Sequence, residues 1–331
     1  MSNAHTLRQV DGLWFDLDGV ILRAEDTVFR VSRSILAARS TVFCDMIAFP
    51  QPAAVGAADA DSETLDGVPV VRIFDAPEDV EPFLRAIFNS NYFMPAPAPI
   101  KFLEVLSILR LSHKYGVEYL FRRALLHLEA VYPIEPESVR PPRKLFPNHL
   151  VYNEGDVDLD LRAIPILRQV DATWLLPFAF YSVGTYPMEE VLRSPFWAPM
   201  PDDLQRTVIC LPMKHMRMLG KMHHCLDISS PICEDERRCG SAMAKFCRDS
   251  LLYWSPLCSE DECADPLLDD NELVERQWQD LLMNRVCTHC AVDISARRES
   301  DWMDSWEQLP ANCGLERWDV LKQRRTVALG L

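Results

Sequence analysis

The stretch from Phe29 to Ile47, FRVSRSILAARSTVFCDMI, limits the possible folds of this chain more than any other segment. A short run with high β propensity, Val28 to Val31, leads directly into a helix start at Ser32 or Ser34. Serine is a strong helix N-cap because its hydroxyl accepts a hydrogen bond from an otherwise unpaired backbone N–H. The segment therefore predicts a strand that passes without a loop into a capped helix.

The same stretch predicts a second helix immediately after the first. We expect the first helix to break at Arg39-Ser40 and the second to run from Val42 to Ala48. The second helix has apolar residues at i, i+3 and i+4, the spacing of one helical face: Phe43, Met46 and Ile47. The segment contains no nucleophile or ligand cluster, which indicates a structural role.

Several positions of this stretch match a known family. They are Phe29, Val31, Arg33, Leu36, Ala37, Ala38, Arg39, Ser40, Val42 and Phe43. They resemble F-x-V-H-R-x-x-L-A-A-R-S-x-V-F, the strand-to-helix core of the BTB/POZ domain, with a departure at Ser32, where the family usually has histidine. The resemblance extends over residues 10–133, and its opening segment LWFDLDGVILRAEDTVF is similar to the family's first hairpin. The later segments WLLPFAFY and WEQLPANCGLERWDVLK resemble the helical tail of BTB proteins common in mushroom-forming fungi.

These patterns predict an α+β fold in two parts. A BTB/POZ-like domain, with a small sheet and a cluster of helices, is expected at 10–133, followed by a proline-rich linker at 134–157 and an all-helical domain at 158–329. Within the first domain, residues 50–68 are small and acidic and are predicted to form an exposed, mobile loop. Within the second domain, Ser241 to Trp254 and Asn271 to Trp306 are each predicted to be one helix.

Composition and charge argue against several classes of function. The 331-residue chain has a formal net charge of −15, which is unfavourable for contact with nucleic-acid phosphates. No secretory signal is visible at the start, and the longest apolar run, Trp174 to Tyr181, is too short to span a membrane. A cytoplasmic or nuclear protein is expected, whose eleven cysteines are reduced thiols or metal ligands.

The BTB/POZ resemblance implies a protein–protein interaction module that acts as an adaptor or scaffold, without catalysis or a cofactor. Such domains self-associate or serve as adaptors in cullin-type ubiquitin ligases, so both a second copy and a cullin-type scaffold are expected partners. The candidate interface residues are apolar and lie on and after the second helix: Phe43, Met46, Ile47 and Phe49. The alternative interpretation is that these residues pack in the core.

A second candidate function comes from Asp16 and Asp18 in the motif WFDLDGV. The motif resembles the first motif of haloacid-dehalogenase-type phosphatases, in which the first aspartate is the nucleophile, the second is the acid/base, and both lie near Mg²⁺. That chemistry requires two carboxylates at the end of a buried parallel strand. Only a short apolar run precedes Asp16, and Asp18-Gly19 is a typical hairpin corner, so we expect a turn here.

The cysteines leave a third question open. Ten of the eleven lie between residues 210 and 313, and Cys287 and Cys290 form a C-x-x-C motif that could supply two thiolates to zinc. The other cysteines, including Cys233 and Cys239, lack regular paired spacing. We therefore expect small buried thiols in a helical core and no bound metal, with Cys287 and Cys290 as the zinc candidates.

Overall fold

The structure is a computed structural model that describes residues 7–48, 64–139, 150–151, 157–253, 267 and 272–331. The described residues fall into two compact units. The first unit comprises 7–48, 64–130 and 150–151, and the second comprises 131–139, 157–253, 267 and 272–331. The fold is mixed α+β, as the sequence predicts.

The first unit contains a five-stranded sheet in the order β1-β3-β2-β5-β4. Its strands are β1 (Arg8–Trp14), β2 (Gly19–Ala24), β3 (Thr27–Ser32), β4 (Thr64–Leu65) and β5 (Val68–Ile73). Strand β2 runs antiparallel to β3 and parallel to β5, and β1 runs parallel to β3. Consecutive residues of β2 and β3 are buried, which shows that both faces of the sheet are covered there.

Five helices belong to this unit, with a short parallel pair of strands, β6 (Ile100–Lys101) and β7 (Leu150–Val151). The helices are α1 (Arg33–Arg39), α2 (Thr41–Ala48), α3 (Pro77–Phe88), α4 (Phe102–Tyr115) and α5 (Glu118–Glu129). Helix α4 packs against both α3 and α5 and contributes most of its length to the core.

Two serines define the α1–α2 helix pair. The hydroxyl of Ser32 accepts a hydrogen bond from the N–H of Ile35 at 3.4 Å, which confirms the predicted N-cap. Ser40 ends α1, and its hydroxyl accepts from the N–H of Phe43 at 3.0 Å, so the same residue caps α2. The break predicted at Arg39-Ser40 is confirmed.

The predicted hairpin corner at Asp18-Gly19 is wrong. Strands β1 and β2 are not paired with each other, because β3 lies between them. Asp18 adopts a left-handed conformation, with φ of 53°, and its carboxylate accepts a hydrogen bond from the N–H of Ser34 in α1. The segment that follows β1 therefore connects to the far side of β3 and leaves the carboxylate of Asp18 at the start of α1.

The acidic segment predicted at 50–68 is described only from residue 64 onward, and its earlier part lies outside the described residues. The described part is the hairpin of β4 and β5, in which Leu65 pairs with Val68. Asp66 and Gly67 form its two-residue turn, with φ of 52° and 74°. Two positive φ values are characteristic of the type I′ turns that Asp-Gly favours. For residues 64–68 the predicted loop is therefore wrong, because these residues form part of a hairpin.

All regular elements described in the second unit are helical. The α-helices are α6 (Val157–Gln169), α7 (Leu176–Val183), α8 (Met188–Arg193), α9 (Asp202–Ile209), α10 (Leu211–His223), α11 (Glu236–Tyr253), α12 (Glu272–Asp280), α13 (Thr288–Glu307), α14 (Leu309–Asn312) and α15 (Trp318–Leu329). Short 3-10 turns occur at Pro136–Ser138 and His224–Leu226. Of the predicted linker, 140–149 and 152–156 lie outside the described residues.

Two predicted helices have different limits in the structure. Helix α11 begins at Glu236, earlier than the predicted Ser241, and so includes Cys239. The helix predicted over 271–306 is interrupted, because a π-helical turn at Leu281–Arg285 follows α12 and the chain is extended at Val286 before α13 begins. This interruption turns the chain immediately before the C-x-x-C motif.

Aromatic stacking organises another part of the second unit. The rings of Trp306 and Trp318 are nearly parallel with centroids 5.1 Å apart, and Trp302 stacks on Trp306 at 6.3 Å. The indole N–H of Trp318 donates to the carbonyl of Trp306 at 3.0 Å, which satisfies a polar group in a buried setting. These tryptophans join α13 to α15.

Candidate functional site

The exposed apolar side of α2 is one candidate site, and we call Val42, Met46 and Ile47 the α2 surface. Val42 is 42% exposed, and Met46 and Ile47 are half-buried. Met46 and Ile47 flank Phe43 on the helix, and Val42 extends the surface on the Met46 side. The guanidinium of Arg33 donates to the carbonyl of Ile47 at 3.2 Å and holds the end of α2 against α1.

The four predicted interface residues do not share one environment. Phe43 is 1% exposed, and its ring stacks on that of Tyr115 at 4.6 Å, so it packs in the core. Phe49 lies outside the described residues. Only Met46 and Ile47 are described and accessible to a partner, while the exposed Val42 was missed because the i, i+3, i+4 pattern did not include it.

The buried carboxylate of Asp75 fixes the end of α4, the helix on which Phe43 packs. Asp75 accepts hydrogen bonds from the hydroxyl of Tyr115 at 2.6 Å and from the ammonium of Lys114 at 2.7 Å. Burial alone would raise the pKa of Asp75, but the donors Lys114 and Tyr115 and the nearby guanidinium of Arg110 outweigh it and lower this pKa. The charged carboxylate thus ties the segment after β5 to the end of α4.

A groove with a cavity volume of about 480 Å³ lies along α5. Its lining residues come from α5 and from the loop before β6: Pro95, Ala96, Glu118, Tyr119, Arg122, Arg123 and Leu126. The guanidinium groups of Arg39 and Arg123 lie 5.5 Å and 6.0 Å from the centroid of the Tyr119 ring. Arg39 is the last residue of α1, so this groove adjoins the α1–α2 pair. We call it the α5 groove.

Asp16 and Asp18 lie in different environments, neither of which resembles a paired catalytic site. The side chain of Asp16 is 91% exposed, 3.9 Å from the guanidinium of Arg30. The carboxylate of Asp18 accepts from the N–H of Ser34 at 2.9 Å and from the hydroxyl of Ser32 at 3.3 Å, and these hydrogen bonds lower its pKa. Strand β1 is an edge strand with mostly exposed residues, whereas the phosphatase motif requires a buried parallel strand.

Four cysteines of the second unit converge, although their spacing in the sequence did not predict that they would meet. The sulfur atoms of Cys233, Cys239, Cys287 and Cys290 all lie within 4.8 Å of one another. Cys233 precedes α11, Cys239 lies in its first turn, Cys287 is the N-cap residue of α13, and Cys290 lies in the first turn of α13. We call these residues the four-cysteine cluster.

Backbone N–H groups point at these sulfur atoms. The N–H of Cys287 lies 3.2 Å from the sulfur of Cys239, and the N–H of Ser230 lies 3.4 Å from the sulfur of Cys290. Backbone donation from Cys290 and Glu234 lowers the pKa of Cys287 to about 6, whereas burial raises the pKa of Cys239 and of Cys290. The lowered pKa favours the thiolate form of Cys287 within the cluster.

Comparison with protein-family models, curated proteins and solved structures yields no match to this chain. Among the described helices, none combines the length and the apolar character needed to cross a membrane.

Proposed function

We propose that the chain is a protein–protein interaction module of the BTB/POZ type, acting as an adaptor or scaffold. The observation that carries this proposal is the α2 surface: a helix that buries Phe43 leaves Val42, Met46 and Ile47 partly accessible. Accessible apolar side chains on a well-fixed helix are suited to docking, because little conformational entropy is lost when a partner covers them.

The rigidity of α2 supports this proposal. Ser40 caps the helix and also donates to the carbonyl of Tyr115, and Phe43 stacks on the Tyr115 ring. These contacts, together with the Arg33 hydrogen bond to Ile47, fix both ends of the helix against its neighbours. A fixed helix presents its exposed side chains in one arrangement.

The neighbouring α5 groove gives the proposed surface a chemical preference. Arg39 and Arg123 bring positive charge beside Tyr119, while Arg122 is paired with Glu118 at 3.8 Å. Tyr119 and Leu126 provide an apolar lining. A partner segment with apolar anchors and flanking carboxylates complements this composition, since arginine pairs well with carboxylates at interfaces. We infer that one partner can contact both the α2 surface and the α5 groove.

The test uses the double variant Val42→Asp with Met46→Asp, which places two charges on the α2 surface without altering Phe43. Val327→Asp is the matched control, because Val327 is 76% exposed on α15. The mass of each purified full-length protein is measured in solution across a concentration series. Binding to a purified cullin N-terminal domain is then measured by calorimetry.

The proposal predicts that the wild type and Val327→Asp form a dimer or bind the cullin domain, and that the double variant loses that binding at least tenfold while keeping its circular dichroism spectrum. A wild-type chain that stays monomeric and does not bind the cullin domain would contradict both partners expected here. Equal binding by the folded double variant would contradict the assignment of the α2 surface.

A further inference from the structure

We propose that the four-cysteine cluster is a structural zinc site. It would hold one Zn²⁺ ion through the sulfur atoms of Cys233, Cys239, Cys287 and Cys290 and join the N-terminal ends of α11 and α13. The cluster lies in the second unit, so this inference is independent of the proposed interaction function.

The separations of the sulfur atoms suit a single tetrahedral ion. A zinc–sulfur bond of about 2.3 Å places neighbouring sulfur atoms of a tetrahedron about 3.8 Å apart. In the cluster, the sulfur atoms of Cys233 and Cys287 are 3.8 Å apart, and every other pair lies within 4.8 Å. Closing the remaining difference requires only small side-chain movements. An iron–sulfur cluster places several atoms between its thiolates and needs a wider arrangement.

Packing alone does not explain the convergence. The hydrophobic core around the four-cysteine cluster also contains Cys225, and Cys247 packs against this core. Neither belongs to the group of four sulfur atoms within 4.8 Å. Small buried thiols that simply fill space have no reason to direct their sulfur atoms at a common point, so the four that converge differ from the two that only pack.

The backbone provides the electrostatic complement that four thiolates require. The N-terminal ends of α11 and α13 meet at the cluster, and both carry partial positive charge. The N–H groups of Cys287 and Ser230 point at two of the sulfur atoms. Four thiolates around Zn²⁺ carry a net charge of −2, which these dipoles stabilise.

The path of the chain before Cys287 is consistent with a metal ion that links the starts of α11 and α13. The π-helical turn at Leu281–Arg285 and the extended Val286 turn the chain so that Cys287 faces the start of α11. The guanidinium of Arg238, near the start of α11, donates to the carbonyl of Asn284 at 3.1 Å within this turn. A π-helical turn is a rare feature that occurs frequently at functional sites. A metal ion between the two helix starts would hold this turn in place.

The experiment measures metal content in the full-length chain purified without chelators. Inductively coupled plasma mass spectrometry should find about one zinc per chain, the stoichiometry of a single Cys₄ site. Cys290→Ser and Cys239→Ser should each lower the zinc content severalfold. Cys247→Ser is the matched control, because Cys247 packs against the same core outside the cluster, and it should retain the wild-type zinc content.

A second measurement on the wild type tests the proposal if the cysteine variants fail to fold. Wild-type protein is treated with a thiol-specific mercurial, and released zinc is counted with a chromogenic chelator. Protein refolded with Co²⁺ should show the strong visible absorption of tetrahedral cobalt thiolate. The proposal is overturned if folded wild-type protein contains no zinc, or if it contains iron in place of zinc. It is also overturned if a folded Cys239→Ser/Cys290→Ser variant keeps the wild-type zinc content.

Discussion

Replacing Ser40 by alanine tests how α2 is held in the first unit. Ser40 is 2% exposed, and its hydroxyl makes two hydrogen bonds. It accepts from the N–H of Phe43 at 3.0 Å, which caps α2, and it donates to the carbonyl of Tyr115 at the end of α4. Ser40→Ala removes both hydrogen bonds without adding volume.

The size of the effect follows from burial. Losing a helix N-cap typically costs about 1 kcal/mol. A buried polar group left without its partner costs about 1–3 kcal/mol. We expect Ser40→Ala to lower the free energy of unfolding of the first unit by about 2–3 kcal/mol, since Phe43 and Tyr115 both lose a partner in the core.

Ser32→Ala is the matched control, because Ser32 caps the neighbouring helix α1 in an exposed setting. Its hydroxyl lies 3.4 Å from the N–H of Ile35, and the carboxylate of Asp18 already accepts from the N–H of Ser34. Water and Asp18 can replace most of what Ser32 provides, so we expect a cost of about 0.5 kcal/mol, at the low end for caps.

The assay is urea unfolding of the full-length variants, monitored by circular dichroism and by intrinsic fluorescence. The transition that shifts in Ser40→Ala is assigned to the first unit by limited proteolysis at the same urea concentrations. Equal costs for Ser40→Ala and Ser32→Ala, or a cost below about 0.5 kcal/mol for Ser40→Ala, would refute the reasoning from burial.

Three further predictions concern both units. The pKa of Asp75 lies below its ordinary value of 3.8 in the folded chain, so its stabilisation is present above that value and is lost as the pH falls through the folded pKa. The urea midpoint of the wild type should therefore fall more steeply below about pH 5 than that of Asp75→Asn. Gly116→Ala should cost more than about 1–2 kcal/mol, because φ is +63° and the new Cβ would lie 2.2 Å from the hydroxyl of Thr41. Adding Thr41→Ala should recover part of that loss, measured by the same unfolding assay. Extended treatment with a strong chelator should lower the melting temperature of the wild type and of Cys247→Ser, and should leave that of Cys290→Ser unchanged, as seen by scanning calorimetry.

The strand-to-helix segment could be predicted because its information is local. The β propensity of Val28 to Val31, the cap at Ser32 and the break at Ser40 act within a few residues of each other, and all three occur in the structure. The corner at Asp18-Gly19 could not be predicted this way, because strand order decides it. The propensity of Asp-Gly for a hairpin is realised instead at Asp66-Gly67, which the acidic composition of that segment concealed.

The four-cysteine cluster was missed for two physical reasons. The spacing of Cys233 and Cys239 is wider than the usual pairs of zinc ligands, because the start of α11 lies between them. The apolar periodicity of a helix also continues across the C-x-x-C motif. The sequence pattern therefore gives no sign of the π-helical turn before Cys287. Convergence of the two pairs is a tertiary feature, and the clustering of ten cysteines in one half of the chain was the only sequence signal of it.

The claim that α2 forms a docking surface is tested most directly by site-specific photo-crosslinking. A photoreactive amino acid is placed at Met46 in the full-length chain, and at Val327 in a control, and each is irradiated with the purified cullin domain and alone. We expect a discrete heavier species from position 46, either with the cullin domain or with a second copy, and none from position 327. Identical patterns from the two positions, or no crosslinked species from position 46, would contradict the claim.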